Sequence, residues 1–313
     1  MDDLEETTEN LNSFHLAGIV PVAAQPLDFN MPWHDCLMPV AQDYLAVERA
    51  VYECACAGCE TIWIVLHKEM QPLIRHRLGE WIEDPVWTYA QRKRVDPTAR
   101  GQNKEIPIYY VPIHPKDRDK RDCLPWSVIQ GVSRAYHISK KISRWVVPDK
   151  YYVAFPYGVY SPYSIRKDYR KLISSHQRFF VQHNGLTVAD GEYLGFTLNA
   201  EDFVNFRRKI REGTGIRKPG GEWENNLPVD DELLPVEDRW SARHFGLTDV
   251  FGDAIVDGAN IGPVDWYYNI DNWDGYCDYL GSKEREWIKR PNFAMKYHEF
   301  GPIGRDVEDE SSE

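Results

Sequence analysis

Between His15 and Leu66 the chain spells out strand, long loop, helix, glycine and strand, and this order constrains the fold more than any other feature. Leu16 to Ala24 is a short apolar run with Ile and Val, the pattern of a strand buried on both faces. A turn-rich stretch with Pro26, Asp28, Asn30, Pro32 and Pro39 follows. From Tyr44 to Ala57, Leu45, Val47, Ala50, Val51, Cys54 and Ala55 recur at spacings near three and four, which predicts a helix stopped by Gly58. Thr61 to Leu66 is β-branched and predicts the second strand. Two strands joined across a helix form a βαβ unit, so they are expected side by side, parallel and joined by a right-handed crossover.

The rest of the chain continues the alternation. Helices are expected near Met70–Trp81, Trp126–Ile142, 163–174 and Ala200–Arg211, the last capped by Asn199 with Asp202 in its first turn. Strands are expected at Ile106–Ile113, Tyr151–Phe155, Arg178–Gln182 and, after a tight turn at Asn184-Gly185, Leu186–Val188. Pro107 and Pro112 mark the first of these as an edge or as strand ends. Residues 85–105 and 212–240 read as polar loops, and 264–276 is rich in aromatics. The whole predicts an α/β fold, a Rossmann-like three-layer sandwich with a mostly parallel sheet. Ligands of such folds sit outside the carboxyl ends of the strands, here Val22–Gln25, Leu66–His67, Ile113–His114 and Pro156–Tyr160.

Charge and composition remove several classes. Net charge is −12, which argues against a general nucleic-acid binder. The acids concentrate at the ends: residues 1–13 and 301–313 read as disordered acidic tails around a single domain, 14–300. No run of 18 apolar residues predicts a membrane span, and the acidic start lacks a signal core. Six Cys in 313 residues do not suggest a disulfide framework, so a reducing, cytoplasmic setting is expected.

Residues 1–66 resemble the sugar-phosphate nucleotidyltransferases, the NDP-sugar pyrophosphorylase branch of the nucleotide-diphospho-sugar transferases. The likeness rests on Ile19-Val-Pro-Val-Ala-Ala24, then His34-Asp-Cys-Leu-Met-Pro-Val40, then Ala57-Gly58 and the strand Ile62–Val65. It continues through Phe155-Pro-Tyr-Gly-Val-Tyr160 and resumes at Asn269-Ile-Asp-Asn-Trp-Asp-Gly-Tyr276. Overall the chain is also similar to divergent, phage-type members, for which the cytoplasm would be that of the host. The resemblance implies nucleotide contacts at Val22, Ala23, Ala24, Gln25, Leu66 and His67, and a substrate pocket at Tyr157, Gly158 and Tyr160. It implies Mg²⁺ near Asn269 and Asp271, and a nucleotide or nucleotide-sugar as partner.

The departures from that pattern all touch charge. Ala24 stands where the family has a glycine that lets backbone approach phosphate. The loop Gln25–Trp33 has no Arg or Lys, and the family's lysine falls on Asp35. Its two metal-binding aspartates fall on Gly158 and Asn269. Phosphoryl chemistry depends on cancelling negative charge, so substitutes must come from elsewhere. The segment 91–121 holds nine Lys or Arg against four acids, and Arg92, Lys93 and Arg94 are the candidate catalytic cations; the alternative is a solvated basic loop. Asp253, Asp257, Asp265, Asp271 and Asp274 crowd one stretch, as metal ligands or as turn formers. Cys54, Cys56 and Cys59 lack the spacing of a zinc site and read as small core residues. His34, His67 and His114 border strand ends, as ligand contacts or as structural groups. The aromatics, Trp266, Tyr267 and Tyr268 among them, suit a sugar or base pocket, the core, or the surface of a protein partner. Three functions stay open: a nucleotidyltransferase joining a nucleoside triphosphate to a sugar phosphate, a glycosyltransferase, or an inactive binding or structural protein on the same fold.

Overall fold

The computed structural model describes residues 14–24, 28, 30–85, 104–114, 123–213 and 245–291. Both acidic tails and most of the basic segment 91–121 lie outside these residues. The expected βαβ unit is present. Strand β1 (Leu16–Pro21) leads through a small hairpin, β2 (Pro39–Ala41) and β3 (Tyr44–Leu45), into helix α1 (Ala46–Ala57) and then β4 (Thr61–Leu66). β1 and β4 pair in parallel, with Ile19 opposite Trp63. The helix begins two residues later than its periodicity suggests, because Tyr44 and Leu45 pair with β2. Gly58 ends it at φ 98°, in the left-handed region where a side chain is disfavoured.

Helix α2 (Gln71–Leu78) stops short of Trp81. Gly79 adopts φ 75°, and Trp81 instead opens strand β5 (Trp81–Glu83). β5 runs antiparallel along the start of β6 (Glu105–Pro112), so β6 is one strand in from the sheet's end. Its Pro112 is the last strand residue, as a missing N–H demands. Helix α3 (Leu124–Ile142) precedes β7 (Lys150–Val153) and the short β8 (Gly158–Val159). Helix α4 combines Pro162–Ser164, a π-helical turn Ile165–Tyr169 and Arg170–Ile173. Then come β9 (Phe179–Gln182), β10 (Phe196–Leu198) and α5 (Ala200–Gly213). Asn184 and Gly185 form the expected tight turn, at φ 50° and 85°. The strand expected after it reduces to one bridge between His183 and Leu186, because Thr187 caps a 3-10 turn. Helix α6 (Leu247–Phe251), β11 (Asn260–Pro263), β12 (Tyr268–Asn269) and α7 (Trp273–Gly281) complete the described chain.

Eight strands form the main sheet in the order β11-β9-β10-β7-β1-β4-β6-β5. Six run the same way; only β10 and β5 oppose them. The two faces of β1 show why there are three layers. A Cβ on Gly18 would sit 2.8 Å from Cys54 of α1, and a Cβ on Gly131 of α3 would sit 2.7 Å from Ile19. Neighbouring residues of a strand point to opposite faces, so α1 and α3 cover opposite sides. All six cysteines are free, and Cys54, Cys56 and Cys59 are buried in that packing.

A second, smaller core joins Met38, Val40 and Tyr44 of the hairpin region to Val159, Ile270, Tyr276 and Tyr279. It seats α7 against the loop that follows β1, with the Tyr276 hydroxyl donating to Pro39 O at 2.9 Å. Arg77 and Arg290 both reach buried Glu48 at the start of α1, at 2.9 and 3.3 Å. Lys150 is buried and donates to Ile173 O and Ser175 O at 3.1 and 2.9 Å, and to Gln177 O. These bonds hold the carbonyls around the end of α4. Burial pushes its pKa down to about 8, against the pull of Asp202.

Arg49 and Glu53 form an ion pair with no exposed surface, one turn apart on α1 and 2.7 Å from each other. Glu53 also accepts from the Tyr152 hydroxyl at 2.7 Å and from the Tyr160 hydroxyl. Glu53→Gln keeps the shape but leaves the Arg49 charge without its counterion. It is expected to cost about 3 kcal/mol or more in a denaturant titration, whereas the double variant Arg49→Met/Glu53→Leu should cost less. Equal losses would mean that packing, not charge, holds this cluster.

Candidate functional site

Strands β7, β1, β4 and β6 are neighbours and parallel, so their carboxyl ends lie along one edge of the sheet. The turn after β1 is pinned from three sides. The N–H groups of Val22 and Ala23 both donate to Val65 O, at 2.8 and 3.0 Å. Ser127 in the first turn of α3 donates its hydroxyl to Ala23 O at 2.8 Å, and the Tyr157 hydroxyl donates to Val22 O at 2.8 Å. Ala24 then turns at φ 67°. This is the left-handed conformation suited to the glycine that the resemblance puts here, held now by a residue with a Cβ. The Leu66 side chain is buried, and its carbonyl accepts Ile113 N–H at 3.0 Å. The His67 carbonyl accepts Met70 N–H at 3.0 Å. Gln25, Arg92, Lys93 and Arg94 lie outside the described residues.

Gly158 and Asn269 meet. They are direct cross-strand partners in the β8–β12 pair, although 111 residues apart in sequence. A Cβ on Gly158 would lie 2.1 Å from Tyr193 O and 2.8 Å from the Tyr267 ring, so only glycine fits under that carbonyl. Tyr157 and Tyr160 flank it with no exposed surface. Their rings therefore build the floor of the edge: Tyr160 is bound to Glu53 and accepts Gly195 N–H at 3.1 Å. Burial pushes both phenols well above their ordinary pKa. The Asn269 side-chain oxygen accepts Asp271 N–H at 3.0 Å, which turns Asp271 toward Tyr193. The Tyr193 hydroxyl donates to Asp271 Oδ2 at 3.1 Å, and its ring packs edge-on to Tyr157 at 5.4 Å. Asn272 donates to Asp271 Oδ1 at 2.6 Å and caps α7 by accepting Gly275 N–H at 2.9 Å.

A second carboxylate comes from the loop after β1. Asp28 in that loop accepts Trp273 N–H at 2.9 Å, which ties the loop to the start of α7. His34 then precedes a 3-10 turn, Asp35–Leu37. His34 Nδ1 lies 2.7 Å from Asp35 Oδ1 and 3.4 Å from Cys36 N. An Nδ1 that donates to the carboxylate cannot also accept, and the shorter contact to the charged partner decides for donation. Cys36 N–H is satisfied by Asp35 Oδ1 at 2.8 Å. Burial raises the Asp35 pKa, His34 opposes this, and the negative charge of Asp271 adds to the rise. The Asp271 charge thus acts on Asp35, and the Asp35 charge in turn reaches Tyr157.

No protein-family model matches the chain, and no curated protein matches it in sequence. Solved structures do match in shape. A protein assigned as a glucose-1-phosphate thymidylyltransferase of Bacillus anthracis, solved with sucrose, superposes with a TM-score of 0.50 at 10% identity. The match covers 88% of this chain and 97% of that one. The likeness is one of fold: a nucleotidyltransferase-like Rossmann fold with a mostly parallel sheet. A UTP-bound UGPase of Acinetobacter baumannii matches at a TM-score of 0.48 and 14% identity, over 89% of this chain and 95% of that one. A UDP-glucose pyrophosphorylase complexed with UDP-glucose matches at 0.47 and 13%, over 87% and 99%. Among the described residues no helix is long and apolar enough to cross a membrane.

Sequence reasoning missed Tyr193, Ser127 and the pairing of His34 with Asp35. Tyr193 carries no motif; only the fold brings its hydroxyl to Asp271. The pairing of adjacent His34 and Asp35 was readable in principle from the polar start of a short turn. Ala24 provides a direct test of the edge. Ala24→Gly relieves roughly 1–2 kcal/mol of left-handed strain and costs roughly 0.5–1 kcal/mol in chain entropy. A net gain of up to about 1 kcal/mol is expected in a denaturant titration, whereas Gly158→Ala should destabilise because its Cβ meets a backbone carbonyl. A destabilised Ala24→Gly variant would contradict the strained turn.

Proposed function

We propose that this chain is a divergent sugar-phosphate nucleotidyltransferase that binds a nucleotide or nucleotide-sugar at the carboxyl edge of its parallel strands. One observation carries the reading. The two positions where the resemblance expects metal-binding aspartates, Gly158 and Asn269, face each other across β8 and β12, and Asp271 follows within two residues. Two segments far apart in sequence meet, which supports this reading. In the reaction, an oxygen of the sugar phosphate attacks the α-phosphorus of a nucleoside triphosphate. The bond to the bridging oxygen breaks and pyrophosphate leaves.

The donor set suits Mg²⁺ in a reduced form. Gly158 offers no side-chain oxygen and the Asn269 oxygen is taken, so Asp271 is the carboxylate that would hold it. One carboxylate plus substrate phosphates is an ordinary arrangement for this ion. When bound, Mg²⁺ would offset the charge of the phosphates. Tyr193 and Asn272 fix the orientation of Asp271. Arg92, Lys93 and Arg94 are proposed to clamp phosphate in place of the missing loop cations.

A second reading has its own observation. The Tyr193 carbonyl closes over Gly158, so the position that supplies a metal ligand in the family cannot carry one here. That favours a protein that binds a nucleotide or nucleotide-sugar without turnover. Pyrophosphate release from a panel of nucleoside triphosphates and sugar 1-phosphates with Mg²⁺ separates the two. The first reading expects release that falls roughly a hundredfold in Asp271→Asn and in the triple neutralisation of Arg92, Lys93 and Arg94. Nucleotide binding in a calorimeter without release supports the second reading. Neither binding nor release across the panel would reject both.

A further inference from the structure

The 3-10 turn after β1 gathers three donor side chains that no part of the nucleotidyl reaction uses. His34, Asp35 and Cys36 each offer an atom able to bind a metal, and these atoms all lie within 4.8 Å of one another. We propose that His34, Asp35 and Cys36 form a binding site for a borderline transition-metal ion of the Zn²⁺ or Co²⁺ class.

Two features argue for it. First, the donors are an imidazole nitrogen, a carboxylate oxygen and a thiol sulfur. Hard ions such as Mg²⁺ prefer oxygen alone, while nitrogen and sulfur together select borderline ions. Second, Asp35 is only 3% exposed, yet among the described residues its Oδ2 has no hydrogen-bond partner. Oδ1 is already held by His34 and by Cys36 N–H, so Oδ2 is the oxygen left with free lone pairs. A buried oxygen without a partner is costly, and a cation satisfies it. His34 keeps part of its surface open while Cys36 is fully buried, so an ion would enter from the His34 side.

Binding replaces the proton of the Cys36 thiol by a metal–sulfur bond, and the proton passes to the buffer. Among the described residues His34, Asp35 and Cys36 are the one such group of three donors, and Cys54, Cys56 and Cys59 belong to none.

Titration of the full chain with Co²⁺ tests the proposal without using activity. The expected result is a thiolate-to-cobalt charge-transfer band in the near ultraviolet, saturating at a single ion per chain and bleached by added Zn²⁺. The band should be absent in Cys36→Ser, and affinity should fall roughly tenfold or more in His34→Gln and Asp35→Asn. His34 is partly exposed, so His34→Gln keeps the fold and decides the question even where Cys36→Ser unfolds by circular dichroism. Cys54→Ala should leave the band intact. No retained Co²⁺ in the unaltered protein overturns the proposal, as does a band that survives His34→Gln at full affinity. Because nothing in this readout depends on pyrophosphate release, its failure would leave the nucleotidyl reading where it stands.

Discussion

The buried pair Arg49–Glu53 is the interaction on which the carboxyl edge depends. Both side chains are fully enclosed, so each must find partners inside the protein. Arg49 finds Phe155 O at 2.8 Å, the point where the chain leaves β7. It also lies 4.9 Å over the Tyr160 ring. Glu53 takes the hydroxyls of Tyr152 and Tyr160, and Tyr160 in turn takes Gly195 N–H. One turn of α1 thus fixes both sides of the segment 155–160 and the entry to β10. A Cβ on Gly195 would come within 2.4 Å of the Tyr152 hydroxyl, so even the glycine there is set by this cluster. The path from the pair to the edge is short: it holds Phe155, which places Tyr157, whose hydroxyl holds Val22 O.

Charge is arranged at the edge in an unusual way. The described cations near α1 are committed to internal work: Arg49 to Glu53, Arg77 and Arg290 to Asp43 and Glu48. Carboxylates reach the edge from two loops, Asp35 from one and Asp271 from the other, while His67 and Lys68 follow directly on β4. A buried carboxylate such as Asp35 is stable only with protons, hydrogen bonds or cations to offset its charge. Asp271 has two hydrogen bonds. Asp35 has the His34 ring and the Cys36 N–H on Oδ1, and among the described residues its Oδ2 has no hydrogen-bond partner.

Much of the fold was legible because it follows from period and punctuation. The Leu16–Ala24 run, the helix ended by Gly58 and the Thr61–Leu66 strand carry the βαβ unit in plain view. Errors fell where tertiary pairing overrides local pattern. Tyr44 and Leu45 fit a helix by spacing but pair with β2, and Trp81 fits a helix but pairs with β6. Leu186–Val188 looked like a strand, yet Thr187 prefers to cap a turn. At the site, the motif spacing located Gly158, Asn269 and Asp271, and the fold joined the first two. It did not reveal that Tyr157 and Tyr160 are buried, because an aromatic in a loop motif reads the same whether it faces a ligand or the core. It could not reveal Tyr193 at all.

Gly158 shows how a departure from a family pattern can be structural before it is functional. Read in sequence, glycine in place of aspartate is a lost charge. In three dimensions it is a close approach: the Tyr193 carbonyl lies where the first carbon of any side chain would go. The same Tyr193 then offers its hydroxyl to Asp271. The residue that makes an aspartate at 158 impossible is thus the residue that orients the aspartate at 271. Since Asn269 bends the chain so that Asp271 N–H closes on its own side chain, the carboxylate is carried past the strand pair into the space beside Tyr193. Gly158, Asn269 and Asp271 are thus linked through one tyrosine. An aspartate introduced at 158 alone would push the Tyr193 backbone away and release Asp271 from its donor, so it would remove one carboxylate from position while adding another.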